Sequence, residues 1–240
     1  MASYEDVIED IGFGTFHVLL TLGAGFLWAA DSMEMMINSI LSPILKCDWK
    51  LSSVQESTIS TVAFMGQAIG AVGWGYLSDS YGRKITLCAS AALVFLFGVA
   101  SSQAPSYWFM LVCRCLIGLG VGGIPQTVVI LTEIVPTQQR SKAVLSMAIF
   151  WGVGPVFASA LAMVIINALS WRYYLLILST PLVIFLIGSW WIPESPRYLL
   201  ITNQIDKLNA SMQRIANEYE RGEYEYRRNR QTRCCSINRG

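Results

Sequence analysis

Three ionisable side chains sit where water should be scarce. Asp31 and Glu34 fall inside the apolar stretch 16–45, and Arg114 falls inside the stretch 106–135. A charge at the centre of a bilayer costs about 2.5–3.5 kcal/mol on insertion scales, so such residues normally face a partner or a water-filled cavity. Asp31, Glu34 and Asn38 are three and four residues apart and so share one face of a helix. At about 1.5 Å per residue, Asp31 lies roughly 22 Å from the start of a helix beginning at Phe16, near the bilayer midplane. By the same rise Arg114 lies about 12 Å below the outer end of its span and Glu34 roughly 16 Å below that of the first, depths at which a pair can form. The chemistry on offer is charge pairing across two helices, or a charged group facing a water-filled cavity. The plainer reading is a neutralised pair that fixes helix packing.

The elements that must position these residues read as membrane spans. The 240 residues are 54% hydrophobic and 14% charged. Windows of about 20 apolar residues give six spans, at 16–45, 54–78, 85–102, 106–135, 144–169 and 171–192. The fold class is therefore an all-α membrane protein, with a cytoplasmic N-terminus at 1–15 and a transmembrane bundle at 16–192. A cytoplasmic amphipathic helix at 193–220 and a basic, disordered tail at 221–240 follow. Glu5, Asp6, Glu9 and Asp10 with no basic residue in the first fifteen argue against a cleavable signal peptide, so the first span acts as its own insertion signal. Lys and Arg fall mainly on one side: Arg83, Lys84, Arg140, Lys142 and nine residues after Ile192, against Lys46, Lys50 and Arg172 on the other. The positive-inside rule then places both termini in the cytoplasm. The net charge of +1 gives no reason to expect a nucleic-acid partner.

Between the second and third spans, Gly75-Tyr76-Leu77-Ser78-Asp79-Ser80-Tyr81-Gly82-Arg83-Lys84 forces a charged tight turn, with Gly82 to relax it. This G-x-x-x-D-x-x-G-R-K pattern resembles the loop joining helices two and three of the major facilitator superfamily, with Ser80 where the family usually has a basic residue. Three further stretches follow in the family's order. Arg114-Cys115-Leu116-Ile117-Gly118-Leu119-Gly120-Val121-Gly122-Gly123 is similar to its helix-four signature, Glu133 and Arg140 match the residues flanking the four-five loop of sugar-porter-like members, and Pro193-Glu194-Ser195-Pro196-Arg197-Tyr198-Leu199 resembles the segment after helix six. Within the superfamily, Ala30-Asp31-Ser32-Met33-Glu34-Met35-Met36 resembles a stretch of synaptic vesicle 2-related members.

The resemblance implies the N-terminal six-helix half, as a fragment or truncated isoform, of a secondary transporter for a small organic solute, proton- or ion-coupled, in a vesicle or plasma membrane. Carried over, Asp31 is the protonatable group and Arg114 its electrostatic partner, in a cavity shared with Glu34 and Asn38. Asp79, Arg83, Glu133, Arg140, Glu194 and Arg197 are the ion pairs of a cytoplasmic gate. The partners expected are the solute, the bilayer, and a C-terminal half, a homodimer partner or a full-length relative. The competing reading is a non-transporting membrane protein that pairs with and regulates a full-length relative.

Other patterns point away from catalysis. Gly118, Gly120 and Gly123 satisfy G-x-G-x-x-G, but inside an apolar span they lack the preceding strand a dinucleotide site needs, and they read instead as helix-packing residues, as do Gly66, Gly70 and Gly73. One histidine, His17, allows no triad, and the six cysteines show no zinc or disulfide spacing, so neither enzyme nor metal nor cofactor is expected. Trp28, Phe150 and Trp151 offer aromatic walls for a solute, or lipid-facing rings. Ile201, Ile205, Leu208, Met212, Ile215 and Tyr219 form the apolar stripe of the cytoplasmic helix. The arginines beside Cys234 and Cys235 suit an anionic-lipid contact with palmitoylation.

Overall fold

The computed structural model describes residues 14–189, 192, 194–202, 204–208, 210 and 213. These residues form helices α1 (Thr15–Trp49), α2 (Ser53–Tyr81), α3 (Arg83–Ser102), α4 (Tyr107–Val121), α5 (Gln126–Ile134), α6 (Thr137–Ala168), α7 (Trp171–Leu178), α8 (Thr180–Gly188) and α9 (Pro196–Ile201). Five stretches among the described residues are both long and apolar enough to cross a bilayer: α1, α3, α4 with α5, α6, and α7 with α8. The remaining member of the expected six, α2, has 29 residues. It reaches about 43 Å, ample for a crossing, but Gln55, Glu56, Gln67 and Asp79 dilute its apolar character.

Two expected spans are interrupted. Between α4 and α5 the amides of Gly123, Ile124, Gln126 and Thr127 bond three residues back, to Gly120, Val121, Gly123 and Ile124. That tighter winding accommodates Pro125, which has no N–H to give. At Ser179 the sixth span breaks into α7 and α8, where Pro181 enters the first turn of α8. Helix starts follow the sequence more simply: Ser52 accepts from the Gln55 amide while the Gln55 side chain accepts from the Ser52 amide, a reciprocal cap for α2.

The bundle is built on two helix pairs. A Cβ at Gly66 would lie 2.3 Å from the Cys115 carbonyl oxygen, at Gly70 2.1 Å from that of Leu119, and at Gly118 2.0 Å from that of Ala63. Residue numbers rise together along this contact, from Gly66 beside Cys115 to Ser78 bonded to Gln126, so α2 and α4 run parallel with their backbones touching. The α1–α6 pair is parallel too, from Gly25 under Phe150 to Ser32 against Gly154, where an added Cβ would lie 2.0 Å from Ser32 Oγ. Gly73 does not share this role, since nothing lies within 4 Å of an added Cβ there.

The apolar interior forms two layers. One gathers Phe16, Leu20, Leu27, Val94, Ile117 and Phe185 toward the start of α1. The other gathers Ile37, Leu41, Leu45, Met110, Trp171 and Tyr174 toward its end. Beyond the bundle, α9 stops at Ile201, and helix resumes at 205–208. Of the expected cytoplasmic stripe, Ile201 and Ile205 are exposed and Leu208 is buried. Met212, Ile215, Tyr219, Cys234 and Cys235 lie outside the described residues.

Backbone contact leaves no flexible neighbour to yield, so Gly118→Val is expected to destabilise the bundle by about 1–3 kcal/mol. Gly73→Ala should stay within about 1 kcal/mol of the parent, helped by the better helix propensity of alanine. Thermal unfolding in detergent distinguishes the two variants.

Candidate functional site

Arg114 is fully enclosed, at 1% exposure, and Glu34 is 7% exposed. Arg114 Nη1 donates to Glu34 Oε2 at 3.3 Å, joining α4 to α1 where the two apolar layers meet. Met33 and Ile37 flank Glu34 in one layer, and Ile117 follows Arg114 in the other. The pair thus links the two parallel helix pairs at their middle.

This corrects only the Asp31–Arg114 partnership that the resemblance implied. Glu34 and Arg114 pair as their depths allowed, whereas Asp31 does not reach Arg114: its Oδ2 accepts from Trp151 Nε1 of α6 at 3.2 Å. The reason is angular: three residues turn a helix through about 300°, enough to aim Asp31 at α6 when Glu34 faces α4. Asn38 is half-buried, and its Oδ1 has no hydrogen-bond partner among the described residues. Arg114 also keeps Nε and Nη2 unbonded. Asn38, Arg114, Glu34 and Gln67 line a common cavity of about 20 Å³. That volume suffices for one water or one polar atom of a solute. A larger groove of about 420 Å³ between α1 and α8 is lined by Leu22, Phe26, Ile184 and Phe185. It lacks the convergent polar groups of a recognition site.

The second cluster forms where α2 and α5 end and α3 and α9 begin. Arg83 Nη2 lies 3.0 Å from Glu133 Oε1, a charge contact too poorly aligned to be a hydrogen bond. Asp79 lies 3.9 Å from the same guanidinium but is 77% exposed in its side chain, where an ion pair contributes little. Glu194 is no ion-pair partner in this cluster. Its Oε1 accepts from the backbone amides of Arg83 at 2.8 Å and Lys84 at 3.0 Å, so it caps α3 from across the fold. Gly82, at φ +102°, makes room, since a Cβ there would lie 2.8 Å from Glu194 Oε2.

Ser195, absent from the expected set, completes the cluster. It donates to Glu133 Oε2 and accepts from the Tyr198 amide, the first cap of α9. Serine directly before proline at a helix start was the signal for it. Two expected gate members stand apart: Arg140 Nε donates to the Val135 carbonyl at 3.0 Å, and Arg197 is exposed with no ion pair among the described residues.

The profile of the Major Facilitator Superfamily matches residues 20–228. The chain belongs to this superfamily. The synaptic vesicle 2-related protein of Rattus norvegicus is 42% identical over 214 residues, covering 89% of this chain and 39% of the relative. The putative transporter svop-1 of Caenorhabditis elegans is 36% identical, covering 88% of this chain and 41% of that protein. Among solved structures, the superfamily's proton:xylose symporter XylE superposes with a TM-score of 0.74 at 20% identity, covering 88% of this chain and 55% of that one. In superfamily terms α1 to α8 therefore make up one six-crossing half, with α4–α5 and α7–α8 each a bent crossing. The protein is a multi-pass membrane protein.

Because Glu194 satisfies two amide groups of α3, Glu194→Ala should cost about 1–2 kcal/mol. Faster amide exchange at Arg83 and Lys84 should accompany the loss. Asp79→Ala should change stability by no more than about 0.5 kcal/mol.

Proposed function

We propose that this chain serves as one half of a secondary transporter of a small organic solute, proton- or ion-coupled, in a vesicle or plasma membrane. The observation carrying this reading is the buried Glu34–Arg114 pair beside a half-buried stripe on α1, Trp28, Asp31, Met35 and Asn38, spaced three, four and three apart. Ala29, Ala30, Ser32, Met33, Glu34 and Ile37 beside it are buried, so this stripe is a partly uncovered polar face of α1 at mid-membrane, with Met36 half-buried next to it. A polar and aromatic strip at that depth suits a water-filled solute path. The names of relatives add support: svop-1 is called a putative transporter, and XylE a proton:xylose symporter.

Coupling follows from the pair. A proton reaching Glu34 weakens its hold on Arg114, and one reaching Asp31 removes the neighbouring negative charge. Either biases the balance between two arrangements of the helices. The inner cluster of Arg83, Glu133, Glu194 and Ser195 holds the cytoplasmic ends together in one arrangement.

Both termini face the cytoplasm in this reading. Cys47, exposed at the end of α1, should then react with an impermeant thiol reagent from the opposite side only, and labelling from the cytoplasmic side contradicts the orientation. Transport is tested in proteoliposomes carrying an entrapped pH dye and challenged with sugars, carboxylates and quaternary ammonium ions. The chain reconstituted with a complementary six-helix half should show solute-dependent proton flux, and the chain alone should not. Flux from the chain alone at the rate of a complete relative contradicts the half-transporter reading. Absence of flux with both halves favours a non-transporting protein that pairs with a full-length relative.

A further inference from the structure

We propose that Asp31 and Trp151, with Trp28, form the seat for an organic ammonium cation. The inference rests on the transporter reading and specifies its class of solute. Charge makes the first argument. The middle of α1 carries two carboxylates, Asp31 and Glu34, and the one guanidinium that reaches them among the described residues, Arg114, is engaged by Glu34. With all three ionised the group carries a net charge of −1, from two negative charges and one positive. Asp31 is held by a neutral donor, the Trp151 indole, and no basic side chain lies within ion-pair distance of it among the described residues. A carboxylate at this depth calls for a cation, and the uncovered stripe is where a solute can bring one.

The surroundings select the kind of cation. Trp28 stands one turn before Asp31 on the uncovered stripe, Met35 one turn after it, and Trp151 approaches from α6. Indole faces attract ammonium groups through the ring quadrupole, most strongly when water is excluded. Calcium or magnesium demands about six or more oxygen ligands, which a carboxylate among rings and a thioether does not supply. An anionic solute would add a third negative charge beside Asp31 and Glu34. Alkylated ammonium fits on both counts, with its charge on Asp31 and its alkyl groups on the indoles.

The test titrates tetraethylammonium into the chain in lipid nanodiscs, followed by calorimetry, with benzoate and glucose as anionic and neutral probes. Saturable tetraethylammonium binding is expected, weakened about ten-fold or more in Asp31→Asn and in Trp151→Ala. Asp31→Glu, which keeps the charge, should hold affinity within about three-fold and separates loss of charge from loss of fold. Absence of tetraethylammonium binding, binding unchanged in Asp31→Asn, or tighter binding of benzoate overturns the assignment. Failure here is distinguishable from failure of the transporter reading: proton flux driven by a sugar or carboxylate, and not by tetraethylammonium, keeps that reading and removes this one.

Discussion

At the level where two apolar layers meet, Glu34 and Arg114 place opposite charges in contact and out of reach of water. The arrangement of the bundle depends on this constraint. Neither charge is tolerable there alone, because an unpaired buried ion retains its full desolvation penalty. Pairing forces α1 and α4 to keep their register, and each brings its own parallel partner, α6 and α2. The same commitment leaves Asp31, one turn away, without a charged partner among the described residues and turned toward Trp151. One ion pair thus sets both the packing of the half and the polarity of its uncovered stripe.

Elsewhere the fold relies on closeness rather than charge. Gly66, Gly70, Gly118 and Gly122 bring α2 and α4 to backbone contact, where dispersion between many atoms replaces the hydrophobic drive that a lipid solvent cannot provide. Where α2 and α5 end, the chain returns to polar chemistry. Glu194, more than a hundred residues from the amides it caps, pins the segment after α8 to the start of α3. Ser195 pins the same segment to Glu133 at the end of α5.

Much of this was legible in the residues. Long apolar runs gave the helices, the charged turn at Asp79 to Lys84 gave the α2–α3 hinge, and intramembrane charges marked the site, because each is a local property of sequence. What escaped depends on rotation and distance. Spacing of three and four grouped Asp31 with Glu34, but only the packing of α1 between α4 and α6 decides which faces the arginine. Arg140 and Glu194 looked like ion-pair members because their charges were visible, whereas the backbone groups they bond, at Val135, Arg83 and Lys84, have no signature in side-chain identity. The breaks at Pro125 and Ser179 lie within runs apolar enough to read as single spans. The role of Gly73 was misread because its spacing matches that of Gly66 and Gly70, while its position has already moved away from α4.

The most direct measurement is a double-mutant cycle on Glu34 and Arg114, read as unfolding free energy in lipid or mild detergent. Each single change, Glu34→Met or Arg114→Met, should cost about 3–5 kcal/mol by stranding the other charge, while the double variant should return to within about 1 kcal/mol of the parent. Additive losses, with coupling under about 0.5 kcal/mol, would contradict the claim that this pair organises the bundle.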